Sequence, residues 1–227
     1  MTDLEKRLGY EFRDPSLLTL ALTHSSRSNE EGRGHLGCNE RLEFLGDSIL
    51  GFVVAEAIFR AYGKKPEGEM TRLRAELVCE SSLVDSAAPL GIGEALRLSR
   101  GEEQGGGHSR PSMIADAFEA ILAAIYLDGG EQEARAFLGR TILPKLESAA
   151  AACRDYKTLL QEAVQAKGLT APTYRMAGES GPDHQKTFTA QVIYNGAVAG
   201  EGSGRSKKEA EQAAARAAYA VFAEEKR

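Results

Sequence analysis

The stretch Asn39-Glu40-Arg41-Leu42-Glu43-Phe44-Leu45-Gly46-Asp47-Ser48 decides how the larger part of this 227-residue chain is read. Its apolar residues continue at helical spacing into Ile49 and Val53, without the alternation of a half-buried strand. On a helix turning about 100° per residue, Glu40, Glu43 and Asp47 fall within about 60° of one another, and Leu42, Leu45, Ile49 and Val53 are expected on the opposite side. Three acids then share one face. A solvated face normally intersperses lysines at i+4 to relieve like-charge repulsion; here only Arg41 is near, and it points elsewhere on the helix.

A second stretch, Asp116-Ala117-Phe118-Glu119, repeats the arrangement, with acids at i and i+3 among Met113, Ile114, Phe118, Ile121 and Leu122. Charges set in so apolar a helix need compensation. Hard divalent cations, magnesium first among them, offer it: carboxylate oxygens are their preferred ligands, and no cysteine or histidine cluster competes. Two acidic helices facing each other would hold one or two such ions, able to activate a water, bind a phosphate and stabilise a leaving oxygen in an in-line displacement. Spacing alone leaves Glu43, Asp47, Asp116 and Glu119 open to two readings, a cation site or a solvated acidic face. Glu67, in Pro66-Glu67-Gly68-Glu69, reads as a loop glutamate, either an outer ligand or simply exposed.

Outward from these stretches, residues 4–147 read as all-helical. Asp14-Pro15 marks an N-cap followed by proline at the first helical position, and Asn39 is expected to cap the helix that runs to about residue 61. Gly101-Glu-Glu-Gln-Gly-Gly-Gly-His108 reads as a mobile glycine-rich loop. The next helix is expected over 112–127, stopped by Asp128-Gly129-Gly130. The pattern changes after residue 148, and a linker is placed at 149–154. Beyond it, 155–167 reads as a helix stopped by Gly168, and 188–194 is rich in strand formers. Asn195-Gly196 is a two-residue hairpin signal that returns the chain as a strand over 197–202. Ser206-Lys207-Lys208-Glu209 fits a capping box opening an alanine-rich helix to residue 222.

An apolar content of 42% is ordinary for a chain with packed cores. Cys38, Cys79 and Cys153 lie far apart with no histidine at metal-ligand spacing, so neither a zinc site nor a disulfide framework is indicated. The first residues run quickly into charges and no stretch approaches the ~18 apolar residues of a membrane span, so a cytoplasmic location is expected. The net charge of −5 argues on its face against a polyanion-binding protein. Its distribution is uneven: residues 155–227 hold 10 Lys and Arg against 9 Asp and Glu, and residues 1–154 hold 18 against 24. An acidic first part that approaches a polyanion needs bound cations to do so.

The ten residues 39–48 resemble the signature of ribonuclease III. The likeness extends to Ala21-Leu-Thr-His-Ser-Ser26, Glu67-Gly-Glu-Met-Thr-Arg-Leu-Arg-Ala-Glu-Leu77, Ile114-Ala-Asp-Ala-Phe-Glu-Ala120 and Tyr126-Leu-Asp-Gly-Gly130. Residues 155–224 resemble that family's double-stranded-RNA-binding domain, with Gly202-Ser-Gly-Arg-Ser-Lys-Lys-Glu-Ala-Glu211 as the most diagnostic segment. The resemblance implies a multidomain chain: an all-α catalytic domain over 1–148, then an α+β (α-β-β-β-α) RNA-binding domain over 155–224. It implies a magnesium-dependent endonuclease of duplex RNA, with manganese as a substitute ion. Glu43, Asp47, Asp116 and Glu119 map onto the metal-binding acids, Asp47 and Glu119 onto the essential pair, and Glu40 and Glu67 onto accessory acids. A homodimer through the helical domain is implied, each acidic cluster cutting one strand to leave 5′-phosphate and 3′-hydroxyl ends with a short 3′ overhang; ribosomal RNA precursors and other structured transcripts are the expected substrates.

Pro111 departs from relatives that carry an acid before the serine equivalent to Ser112, and with Gly105-Gly-Gly107 it bears on local substrate contacts. Duplex RNA is read through phosphates and 2′-hydroxyls. By the resemblance, Thr158, Gln161 and Glu162 meet one minor groove and His184, in Gly181-Pro182-Asp183-His184, the next. Lys207 and Lys208 add charge where free N–H groups and the helix dipole already favour a phosphate. Cys153, His24 and His108 are assigned no function. Two other functions share parts of this pattern. A non-catalytic RNA scaffold would lack the acids, all of which are present. A helical nucleotide pyrophosphohydrolase would leave the C-terminal module without a role.

Overall fold

The computed structural model describes residues 1–152, 155–182 and 186–224, and the chain forms two compact units, Met1–Cys153 and Arg154–Arg227. His184 and Cys153 lie outside the described residues.

Among the described residues, the first unit is built from α1 (Asp3–Leu8), α2 (Pro15–Ala21), α3 (Ser25–Glu30), α4 (Glu40–Ala61), α5 (Glu67–Val78), α6 (Glu80–Ala87), α7 (Ile92–Ala95), α8 (Arg100–Gln104), α9 (Pro111–Gly129), α10 (Glu131–Thr141) and α11 (Leu146–Ala152). α9 is its axis. Ala117, Phe118 and every residue from Ala120 to Ile125 are fully buried, as expected of a helix apolar on nearly all sides. Around it pack α4, through Leu42, Leu50, Val53, Val54 and Ile58, and α10, whose Phe137 ring lies 5.3 Å from that of Phe118.

The helix starts follow local chemistry. Asp14 accepts a hydrogen bond from the Ser16 N–H and Pro15 opens α2, as expected. Asn39 does stand before α4, but its buried side chain makes no capping bond; its backbone N–H donates to the Thr23 carbonyl instead. The Asp128 carboxylate accepts from the Tyr10 hydroxyl at 2.7 Å and from the N–H groups of Arg13 and Asp14 at 2.8 and 3.0 Å, tying the end of α9 to the segment before α2.

Three further sequence expectations change. The glycine-rich segment is not a mobile loop. Ser99 caps α8 within it, a 3₁₀ turn spans Gly107–Ser109 with Gly107 buried, and Arg110 pairs with Glu102 at 2.9 Å; these ties order a segment whose glycines alone read as irregular. Glu67 is not in a loop but is the first residue of α5, following Pro66. The alanine run read as the start of a linker remains helical through Ala152, in keeping with alanine's high helix propensity. Among the described residues, no helix is long and apolar enough to cross a membrane.

The second unit runs α12 (Tyr156–Ala166), β1 (Thr173–Ser180), β2 (Thr187–Tyr194), β3 (Ala197–Gly204) and α13 (Lys207–Glu224), the α-β-β-β-α order expected. The strands form an antiparallel sheet in the order β1-β2-β3. Asn195 and Gly196 carry φ of 49° and 78°, the positive values that a type I′ hairpin requires. Its small core joins Leu160 and Val164 of α12, Ala190 and Val192 of β2, and Ala210, Ala214, Ala218 and Phe222 of α13. The β3 side of this interface is glycine: a Cβ on Gly200 would fall 2.5 Å from the Ala214 carbonyl oxygen, and one on Gly202 would fall 2.3 Å from the Ala214 nitrogen. Glycines on the strand and alanines on the helix therefore let backbone meet backbone.

Candidate functional site

The two acidic stretches meet where α4 crosses α9, and Gly46 is the point of closest approach. A Cβ built there would lie 2.0 Å from the Glu119 carbonyl oxygen and 2.5 Å from its carbon. A hydrogen at this position lets the helices approach closely. Glu43 and Asp47, one turn before Gly46 and one residue after it, are thereby brought beside Asp116 and Glu119. The acids do not lie opposite the packed side of α4. The face that carries Glu43 continues into buried Leu50 and Val54, so the acids occupy the edge of the buried stripe, and Leu45 and Ile49 are only half-buried.

Their electrostatics record this closeness. Burial, followed by the charges of Asp47, Glu43 and Asp116, pushes the Glu119 carboxyl up to about 8. Glu43 is raised by burial and then by Asp116, Glu40 and Asp47. Asp116 is raised by burial, opposed by His24 and reinforced by Glu80. Glu40, at the first position of α4, is exposed and acts on Glu43. Glu67 is not among the charges that bear on these three acids; its carboxylate accepts a hydrogen bond from the Thr71 hydroxyl at 2.7 Å.

Among the described residues no three acidic, histidine or cysteine side chains converge closely enough to share one ion. Like charges repel one another, and an opposing charge is what would draw such carboxylates together. The donor set nevertheless fits a hard divalent ion. It is all carboxylate oxygen, it is partly desolvated, and Glu43 and Glu119 are raised by the charges of their acidic neighbours, which an opposing charge would relieve.

Two residues bearing on the site carry no periodic signal in the sequence. His24 caps α3, its Nδ1 accepting from the Ser26 N–H at 3.2 Å in the neutral ring, and the same ring, when protonated, opposes the rise of Asp116. Glu80, at the start of α6, acts on the same carboxyl. His24 lies within the family-like Thr-His-Ser-Ser segment, the one hint available beforehand. His108 is structural, its Nδ1 bonded to the Gly93 carbonyl at 2.8 Å.

In the second unit, Thr158, Gln161 and Glu162 stand exposed on α12, on the side away from buried Leu160 and Val164. α12 is tied to α13 by Lys157 to Glu211 at 2.8 Å, by the Tyr156 N–H to Gln212 Oε1 at 2.8 Å, and by Gln212 to Asp155 at 2.9 Å. Lys207 and Lys208 are exposed on the first turn of α13. Ser206 Oγ accepts the Glu209 N–H at 3.2 Å, and the Glu209 carboxylate reaches back to the Arg205 N–H at 2.9 Å. This is the expected capping box displaced by one residue on its return arm.

Residues 14–146 match the family described as Ribonuclease-III-like, and residues 156–221 match the double-stranded RNA binding motif. Among curated proteins, Ribonuclease 3 of Desulforamulus reducens is 50% identical over 95% of this chain and 89% of its own length. Ribonuclease 3 of Listeria monocytogenes serotype 4a is 47% identical over 94% of this chain and 93% of its own. Among solved structures, the nuclease domain of ribonuclease III from Campylobacter jejuni, described as structurally flexible in a region involved in dimer formation, is 42% identical with a TM-score of 0.58, covering 63% of this chain and 95% of that one.

Proposed function

The chain belongs to the ribonuclease III family of double-stranded-RNA endonucleases, and from that premise we propose that Glu43, Asp47, Asp116 and Glu119 hold magnesium, or manganese in its place, for hydrolysis of duplex RNA. The observation that carries the proposal is the crossing of α4 and α9 at Gly46, which gathers four carboxylates and pushes Glu119 up to about 8. When bound, the ion supplies an acidified water and positive charge at the phosphate undergoing in-line displacement. The four acids supply the oxygens, with Asp47 and Glu119 as the essential pair. Glu40 adds negative charge at the rim, and Glu67 serves as an accessory acid from the start of α5. The products are 5′-phosphate and 3′-hydroxyl ends with a short 3′ overhang.

The exposed phenylalanines of α4 support pairing of two nuclease units. Phe44, Phe52 and Phe59 are 78%, 57% and 65% exposed, and their spacing places them within about 80° on one side of the helix. Apolar rings gathered in this way mark an association surface, through which each subunit contributes one cluster and cuts one strand. Functionally, residues 1–148 form the nuclease, 149–154 the connection and 155–224 the duplex-binding module. Thr158, Gln161 and Glu162 face one minor groove, Lys207 and Lys208 take phosphates, and His184, outside the described residues, is assigned to a second groove contact. The enzyme acts in the cytoplasm on ribosomal RNA precursors and other structured transcripts.

The experiment is cleavage of a long RNA duplex with and without magnesium, with the ends of the fragments mapped. Cutting only with the ion, at paired positions offset to leave a 3′ overhang, is expected. A chain that binds the duplex in magnesium yet never cuts it is a scaffold, and one that ignores the duplex and hydrolyses nucleoside triphosphates is a pyrophosphohydrolase. Either result refutes the proposal.

A further inference from the structure

The cations of the second unit divide sharply by whether they are already engaged. Lys157 pairs with Glu211 at 2.8 Å, Lys167 donates to the Phe222 carbonyl at 3.1 Å, and Arg175 donates to Gln191 at 2.7 Å. Lys186 lies 3.9 Å from Glu179, and the Arg216 guanidinium sits over the Tyr156 ring. Among the described cations of this second unit, only Arg205, Lys207 and Lys208 have a side chain with no ion pair, hydrogen bond or ring contact, and all three are exposed. An engaged cation must give up its partner before it neutralises a phosphate. A free one does so directly and releases the counterion condensed on the RNA.

The free cations also share one short, well-held segment, within about 11 Å of chain. Arg205 is fixed through its backbone, because Glu209 spends its carboxylate on the Arg205 N–H rather than on the guanidinium. On the other side, Gly204 approaches α13 so closely that a Cβ there would lie 2.4 Å from Glu209 Cβ. The backbone is held while the guanidinium stays free.

We propose that Arg205 is a third phosphate-contacting residue of the duplex-RNA surface, beside Lys207 and Lys208. The inference rests on the reading of those two lysines as phosphate contacts and adds a different kind of donor. A guanidinium offers a planar fork for two hydrogen bonds to one phosphate, where a lysine offers a point charge.

The test is the salt dependence of binding, measured by fluorescence anisotropy on the full chain in EDTA, with an RNA duplex of about 20 base pairs, longer than the ~16 such a module spans. Arg205→Ala is expected to lower the logarithmic salt slope by about 0.9, so that the wild-type advantage in affinity shrinks about 3.5-fold between roughly 50 and 200 mM salt. Thermal unfolding should not change, because the side chain holds no partner. Arg205→Lys should recover the slope but not all of the affinity, since it restores charge without the fork. A wild-type slope in Arg205→Ala, or no recovery in Arg205→Lys, overturns the proposal. The double variant Lys207→Ala/Lys208→Ala separates the two levels. If it lowers the slope by about 2 while Arg205→Ala does not, the lysine reading stands and the Arg205 assignment fails. If neither variant changes the slope, the lysine reading fails and takes this inference with it.

Discussion

Gly46→Ala tests whether the approach of α4 to α9 positions the four acids proposed to hold the metal. The added Cβ would sit 2.0 Å from the Glu119 carbonyl oxygen and 3.1 Å from the Glu119 Cα. Both obstacles are backbone in the middle of a fully packed helix, so no side chain can rotate away. Restoring an ordinary contact of about 3.5 Å requires the helices to part by roughly 1.5 Å. Overpacking of this kind costs about 1–3 kcal/mol, and replacing a mid-helix glycine returns up to about 1 kcal/mol of helix propensity. The net expectation is a loss of about 1–2 kcal/mol, seen as a fall of about 3–8 °C in the Tm of the nuclease unit. Activity should suffer more, because the parting separates Glu43 and Asp47 from Asp116 and Glu119. A displacement near 1 Å in a reacting constellation costs on the order of 100-fold. Single-turnover cleavage of a duplex with enzyme in excess should therefore drop by about that factor, while duplex affinity, carried by the other unit, stays close to wild type. Wild-type cleavage in Gly46→Ala would show that the helix approach does not set the geometry of the acids. A melting temperature equal to wild type would show that the contact is not tight.

Glu119→Gln should leave duplex binding intact and abolish cleavage, and substantial turnover in saturating magnesium would remove Glu119 from the essential pair. The same variant tests the electrostatics of the metal-free chain. With the Glu119 carboxyl raised from 4.5 to about 8, the folded state keeps a proton that the unfolded chain has released, so stability falls as pH rises through that window. The full displacement corresponds to about 5 kcal/mol, and partial solvent access reduces this to about 1–2 kcal/mol. Urea unfolding in EDTA from about pH 5 to pH 8 should show the decline in wild type and a flatter profile in Glu119→Gln; parallel profiles would contradict the account. Replacing magnesium with calcium should give a bound but uncut complex, since calcium's larger and looser shell suits in-line displacement poorly, and efficient cutting in calcium would refute the mechanism. Gly202→Ala should weaken duplex binding and lower the melting temperature of the second unit, because its Cβ would strike the α13 backbone at Ala213 and Ala214; unchanged affinity and melting would show that the strand and helix can part without consequence.

Much of this protein was legible in the order of its residues, where the governing physics is local. Asp14-Pro15 opens α2, and Asn195-Gly196 turns β2 into β3, because cap and turn preferences act within a few residues. Helical periodicity alone put the acids of residues 39–48 on one face and those of 116–119 on another, and left open whether either face was a cation site or simply solvated. Some local readings failed for want of tertiary partners. The glycines of residues 101–108 read as mobile, yet Ser99, Arg110 and the burial of Gly107 order them. Asn39 read as a side-chain cap, yet it is buried with its N–H bonded to Thr23. What only the folded chain decides is proximity between distant segments. Gly46 is unremarkable as one residue in a helix, and becomes the point on which the site turns once the Glu119 carbonyl lies against it. His24 and Glu80 bear on Asp116 only through the fold, Glu80 from the start of α6, which packs against α9, and His24 from the residue before α3. Periodicity reports which way a residue faces along its own helix. Whether two such faces meet, and how far burial and repulsion then shift a carboxyl such as Glu119, depends on packing between residues more than 70 positions apart in the chain.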